Sequence, residues 1–161
     1  MTTPAITVVI PEFQGPYRFL SNFWPHPVLY KGVLYPTNEH AYQSDKTDDP
    51  KAKELIAKAP RPGDAKRLGK QVPLKLGWNV YHRYSTMEAL VALKFAPGGD
   101  LGMQLADTAD AMLIEGNRWC DQTWGDCTCA KHADRPGHNL LGWMLMRHRT
   151  VLHDLRQDWG H

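Results

Sequence analysis

No long apolar run occurs in the chain. None of its stretches approaches the roughly 18 consecutive apolar residues that a membrane-crossing helix needs. The opening Met-Thr-Thr-Pro-Ala-Ile-Thr-Val-Val-Ile has neither the basic region nor the apolar core of a secretory signal. An excess of charge of one sign is also missing. The 19 Lys and Arg stand against 17 Asp and Glu, a formal net charge of +2, so a broad basic footprint for duplex nucleic acid is not expected. Cysteine is scarce: the three in 161 residues all fall between 120 and 129, too few and too crowded for a disulfide framework. There is no Walker loop, no G-x-G-x-x-G and no G-x-S-x-G elbow. Together these absences predict a soluble cytoplasmic protein (nuclear if the source is eukaryotic), neither secreted nor membrane-bound. They also predict no cofactor, and chemistry resting on carboxylates, Lys, Arg and aromatics.

A zinc site is raised by Cys127-Thr-Cys129 with His132 and His138. The C-x-C spacing is tighter than the C-x₂₋₄-C pairs of structural zinc sites, and no second knuckle follows. Free thiols in a loop, without a metal, are therefore the expectation.

What the chain does have is apolar content, 42%, with six Trp and six Tyr. That is enough for the core of one ordinary domain spanning 1–161. Aromatics fill cores, and they also form stacking walls for bases and sugars. Residues 5–10 read as a buried strand. Residues 13–25 follow neither a period of 2 nor of 3.6 and read as a structured loop, in which aromatics flank Arg18 and Asn22. Val28-Leu29-Tyr30 and Val33-Leu34-Tyr35 around Lys31-Gly32 predict a hairpin. Helices are expected at about 38–46, 51–59, 64–70, 81–95 and 100–108, and from Asn139 to Arg156. Leu76 to Asn79 reads as a turn with Trp78 exposed, residues 112–114 as a short strand, and 115–137 as a long irregular stretch. The fold class is α+β, mostly helical with a few short strands.

The centre of this pattern is 36–46, Pro-Thr-Asn-Glu-His-Ala-Tyr-Gln-Ser-Asp-Lys. Thr37 or Asn38 can cap a helix, on which Glu39, Gln43 and Lys46 share one face at i, i+4 and i+7. The plain reading is a solvated face, with Glu39 favoured by the helix dipole. The other is an acid/base or nucleophile pair lining a cleft. Lys66, Arg67 and Lys70 form a basic patch, either plain surface or a phosphate site.

Several runs resemble the NADAR family of YbiA-like N-glycosidases. They are Tyr-Arg-Phe-Leu-Ser-Asn-Phe at 17–23, Tyr-Pro-Thr-Asn-Glu-His-Ala-Tyr-Gln-Ser-Asp-Lys at 35–46, and Ala-Lys-Arg-Leu-Gly at 65–69. Trp78, Arg83 and Met87 follow, then Asp121-Gln-Thr-Trp124-Gly125 and Asn139-Leu-Leu-Gly142 with Leu145, Met146 and Arg149. The likeness runs from about 13 to 150. The Cys- and His-containing segment 126–138 departs from it.

The resemblance implies cleavage of an N-glycosidic bond to a phosphate-bearing ribose. The preferred substrate is guanine-linked ADP-ribose on nucleic acid, or a related small molecule, with an ADP-ribosyltransferase toxin as the opposing partner. The alternatives are phosphorylated riboflavin-biosynthesis intermediates, and a non-catalytic ADP-ribose or NAD module. By this resemblance a lysine forms a Schiff base with the sugar C1. That requires an amine titrating near roughly 7–8, which a desolvated lysine can reach and an arginine cannot. Lys46 is the expected nucleophile, with Lys66 and Lys94 as rivals, the former more suited to phosphate and the latter to helix surface. Glu39 is the acid/base and Asp121 the second carboxylate. Trp78 and Trp124 are expected to wall the base, with Arg18, Asn22, Gln43, Lys66, Arg83 and Asn139 contacting the ribose or phosphate. Glu39 and Lys46 stand two helical turns apart, about 10.5 Å along the axis, so they would reach one ribose from opposite sides.

Overall fold

The computed structural model describes residues 7–158. They form two compact units, one of 22–96 and one of 7–21 with 97–158. Helices with short strands make up both, as the α+β reading expects. Among the described residues no helix is long and apolar enough to cross a membrane.

In the unit of 22–96, β2 (Val28–Tyr30) and β3 (Val33–Tyr35) pair antiparallel, with Leu29 opposite Leu34. Lys31 and Gly32 turn the hairpin with φ of 49° and 79°, the left-handed pair that matches the twist of two-residue hairpins. Thr37 then starts α1 (Asn38–Ser44) by accepting from the His40 backbone N–H. The carbonyl of Asn22 takes the Glu39 N–H, a second of the free donors at the helix start.

Every residue of α1 is buried. Glu39 is 6% exposed and Gln43 3%, so the solvated-face reading of this stripe is overturned. The helix also ends at Ser44, short of the expected 46. Asp49 and Pro50 open α2 (Pro50–Ala57), and Pro62 opens α3 (Pro62–Gly69). Pro suits this first-turn position because its missing N–H would be unpaired there anyway.

Two expectations fail further on. Trp78 is only 3% exposed. Gly77, at φ 74°, turns the chain so that the amides of Val80, Tyr81 and His82 all point at its carbonyl. This makes a π-helical turn over Trp78–His82 that leads into α4 (Arg83–Lys94). Lys94, expected on the helix surface, is 3% exposed. It closes the apolar stripe of Met87, Leu90 and Val91, with its amine 5.0 Å from the Phe95 ring centroid.

In the other unit, β1 is only Val9–Ile10, and Val8 and Val9 lie exposed. The buried strand of 5–10 is thus two residues long with one buried side chain; residues 5 and 6 lie outside the described ones. The 13–25 stretch is not wholly a loop, since Gly15–Leu20 forms a 3₁₀ helix that buries Phe19 and Leu20. β1 pairs parallel with β4 (Met112–Leu113), against which α6 (Leu140–Asp158) packs; α6 also packs on α5 (Asp100–Ala106). The 115–137 stretch contains a parallel pair, β5 (Gly116–Asn117) with β6 (Asp126–Cys127).

One carboxylate joins several segments of the 22–96 unit. Asp45, buried at the C-terminal end of α1, accepts from Lys31 (2.8 Å) and pairs with Lys75 (3.1 Å) through Oδ1. Through Oδ2 it accepts from Thr86 (2.7 Å) and Tyr30 (3.1 Å). Burial alone would raise this carboxyl. The hydrogen bonds from Lys31, Thr86 and Lys75, with the Lys75 charge, outweigh burial and hold it below its ordinary value. A carboxyl depressed on folding contributes stability above its unfolded pKa, about 3.9, and loses that contribution as pH falls through the folded value. Asp45→Asn is expected to lower unfolding free energy by about 3 kcal/mol at neutral pH. Urea melts of both proteins check this, and the gap should close in acid; a gap independent of pH would contradict it.

Candidate active site

The Thr37 cap fixes the register of α1, which sets Glu39 and Gln43 one turn apart. Gln43 Nε2 donates to Glu39 Oε1 at 2.6 Å. The pair fits because α3 presents Gly69 to it; a Cβ there would collide with the Gln43 side chain.

Lys46 sits in the turn after α1. Its N–H reaches the Gln43 carbonyl (3.4 Å), and its carbonyl accepts from the Lys75 N–H (2.7 Å). The amine lies 5.6 Å from the Tyr42 ring centroid. Tyr42 in turn packs on Trp78, with centroids 5.2 Å apart and planes at 57°. Lys75 Nζ stands 5.4 Å from the Trp78 ring centroid.

Burial pushes the Lys46 amine below its ordinary value. The Glu39 carboxylate works against that, whereas Lys66, Arg83 and Lys70 push the same way, and the net shift is downward. At a given pH more of this amine is neutral, and so nucleophilic, than an exposed lysine would be. The three cations also form an anion-attracting surround. Lys66, half-buried, has its amine 5.8 Å from the Phe23 ring centroid. Arg67, the third member of the basic patch, is turned to Asp64 at 3.6 Å.

The remaining candidates have other surroundings. Asn22 is buried, with its amide donating to Met87 Sδ at 3.3 Å. Arg18, Asp121, Trp124 and Asn139 belong to the other unit. Arg18 is exposed on the 3₁₀ helix. Asp121 Oδ1 accepts from the Thr123 and Trp124 N–H groups (3.0 and 2.9 Å) and shapes the turn that carries half-buried Trp124. Asn139 donates to the Leu113 carbonyl and accepts from the Glu115 N–H, both at 2.9 Å.

Sequence reasoning missed Asp45, Lys70, Lys75 and Tyr42 as shapers of the Lys46 surroundings. Tyr42 alone had a local signal, its i, i+4 spacing to Lys46.

Residues 11–153 match the NADAR domain family. The N-glycosidase YbiA of Shigella flexneri is 35% identical over 138 residues, covering 84% of this chain and 82% of that protein. A riboflavin biosynthesis protein of Vibrio vulnificus is 33% identical over 139 residues, covering 86% of this chain and 36% of that protein. The NMR structure of Escherichia coli YbiA superimposes with a TM-score of 0.76 at 29% identity, covering 94% of this chain and 92% of that one.

The causes of the Lys46 shift give an expected outcome that does not depend on any substrate. In Lys70→Gln a cation that lowers the amine is removed, so the pH at which Lys46 becomes reactive rises. In Glu39→Gln the opposing anion is removed, so that pH falls. Mass-spectrometric quantification of Lys46 acylation against pH checks both directions; equal profiles in the three proteins would contradict the electrostatic account.

Proposed function

Because the chain belongs to the NADAR family, we propose that it is an N-glycosidase acting on ADP-ribose linked to guanine in nucleic acid, through a lysine imine. The observation that carries this reading is the half-buried Lys46 amine, held below its ordinary value beside Glu39 and among Lys66, Arg83 and Lys70.

In the proposed reaction an acid, for which Glu39 is the candidate, assists opening of the ribose ring to the C1 iminium. The neutral Lys46 amine adds to C1. A proton moves to the guanine nitrogen, the C1–N bond breaks, and the base leaves with its exocyclic amine restored. Water adds to the remaining Lys46 imine, and the resulting carbinolamine collapses to the aldehyde and the free amine. The sugar closes again as ADP-ribose. The sum is addition of one water across the glycosidic bond, with no oxidant or metal required. Lysine suits the nucleophile role because its amine loses its proton readily on desolvation.

Lys66, Lys70 and Arg83 are suited to the sugar's phosphates as charge partners. Trp78 is buried against Tyr42, so its proposed contribution is to support the Tyr42 ring under Lys46. A guanine amine inside a duplex is out of reach without flipping or a single strand, and the near-balanced net charge suits single strands and small substrates.

A second reading takes phosphorylated aminopyrimidine intermediates of riboflavin synthesis as substrates. What favours it is the name of the Vibrio relative, together with a cation set that suits a single ribose phosphate as well as a diphosphate.

The test is incubation with a guanine-ADP-ribosylated single-stranded oligonucleotide, with and without borohydride, followed by intact and peptide mass. The expected outcome is released ADP-ribose and a trapped adduct on Lys46. Lys46→Ala should give no adduct, and Glu39→Gln should slow release by about 100- to 10,000-fold. Release without any adduct would move the chemistry to Glu39 and a water. No release, with turnover of the aminopyrimidine phosphate, would select the second reading. Binding of ADP-ribose with no cleavage of either substrate would leave a binding module.

A further inference from the structure

The 118–138 stretch gathers a second set of chemistry-bearing side chains. Parallel pairing of Asn117 with Cys127 lays the start of this stretch along its middle. Asn117 fixes the chain just beyond: its Oδ1 accepts from the Asp121 N–H (3.1 Å) and its Nδ2 donates to the Asp121 carbonyl (2.8 Å). Gln122 braces the opposite side, accepting from the Cys127 N–H (2.8 Å) and donating to the Arg135 carbonyl (3.1 Å). Cys120 is thereby folded back onto Cys127, Cys129 and His132.

The donor atoms converge. Cys120 Sγ and Cys129 Sγ are 3.2 Å apart, and Cys129 Sγ is 3.4 Å from His132 Nδ1. The Cys129 backbone N–H donates to Cys127 Sγ at 3.3 Å. One donor atom from each of the four residues lies within 4.8 Å of every other. A tetrahedral zinc ion with three thiolates and one imidazole spaces its donors by about 3.5 to 3.8 Å. The three cysteines are free thiols. Cys120 holds φ at 65°, a region that a non-glycine residue keeps only when its surroundings impose it.

We propose that Cys120, Cys127, Cys129 and His132 form a structural zinc site that clips the 118–138 stretch. Three soft sulfurs and one imidazole in a four-donor cluster select zinc, and a full set of four protein ligands marks a structural site, not a catalytic one. Binding displaces the three thiol protons to solvent and leaves a neutral imidazole, so no redox partner is needed. The spacing objection to zinc fails because the missing second arm is Cys120, brought in by the β5–β6 pairing. His132, at C-x₂-H from Cys129, completes the set. His138 takes no part; its backbone N–H donates to the Gln122 carbonyl. Asp121 and Trp124 lie between the first two ligands in sequence, so the clip would fix the segment that carries them. The site stands on its own geometry and does not rest on the proposed activity.

The test is metal analysis of the full-length protein, purified under reducing conditions from zinc-supplemented medium, followed by exchange with Co²⁺. One zinc per chain is expected, with the strong visible bands of tetrahedral cobalt–thiolate after exchange and a lower melting temperature after chelation. Cys120→Ser changes an exposed residue, and it and His132→Asn should both lose zinc. Two results would overturn the proposal: zinc-free protein with all three thiols reduced, or, in a parallel preparation without reductant, a Cys120–Cys129 disulfide found by peptide mapping. Should either variant fail to fold, the zinc content and cobalt spectrum of the unaltered protein still decide.

Discussion

The buried carboxylate of Asp45 is the constraint on which the candidate site depends. An anion at the end of a buried helix is costly unless donors surround it. The donors come from the hairpin (Tyr30 and Lys31), from the segment before Trp78 (Lys75) and from α4 (Thr86). Asp45 therefore binds to α1 segments that are distant in sequence, and in doing so fixes where the next residue, Lys46, emerges. The two neighbours are treated in opposite ways. Asp45 receives two cations and two hydroxyls. Lys46 receives burial, three cations at the range of field effects and the opposing field of Glu39. One turn thus carries a stabilised anion next to an amine biased toward its neutral form.

The same logic explains how a helix as polar as α1 can be wholly buried. Buried polar groups are tolerated when they are hydrogen-bonded. His40 uses both ring nitrogens, toward Thr37 Oγ1 (2.8 Å) and the Ala59 carbonyl (3.0 Å). Asn38 donates to the Leu90 carbonyl (3.1 Å), and Ser44 shares a hydrogen bond with Tyr35 (3.0 Å). Among the described residues, Oδ1 of Asn38 and Oε1 of Gln43 remain without a partner, and the Gln43 side chain lies against Gly69. The bonds to Ala59, Leu90 and Tyr35 reach three different parts of the chain, so α1 is held in one orientation by directional contacts, with less left to apolar packing, which is non-directional.

Local rules were legible in the sequence wherever one or two residues decide the conformation. Lys31-Gly32 announces its turn, Thr37 its cap, and Pro50 its helix start, whereas Pro62, which opens α3, reads equally as the stop of the helix before it. The spacing of Glu39, Gln43 and Lys46 was legible as well, but not its burial, because a polar stripe is charged or wet by default and only distant partners make it dry. Trp78 between Gly77 and Asn79 looked exposed for the same reason, since the π turn that tucks it against Tyr42 depends on tertiary packing. Lys94 followed the apolar period correctly, yet a lysine at such a position is ordinarily assigned to the surface. The Asp45 partners lie 14 to 41 residues away, and the Cys120 meeting with Cys129 needs a parallel pairing of two-residue strands. Neither kind of contact leaves a periodic trace.

The causes acting on Lys46 bear on how such an amine would behave with a phosphate-bearing sugar in place. Phosphate beside Lys66, Lys70 and Arg83 would cancel part of their field and so raise the amine toward its protonated form. A site that relied on neighbouring cations alone would lose its nucleophile on binding substrate. Here burial is the largest cause and the cations are lesser ones. A bound sugar also displaces water, which strengthens the desolvation on which the shift mainly rests. The two effects of binding oppose each other, and the largest single cause of the shift is the one that binding reinforces. Lysine chemistry next to a phosphate is therefore compatible with this arrangement because Lys46 sits in the turn of a buried helix and not on an exposed basic face.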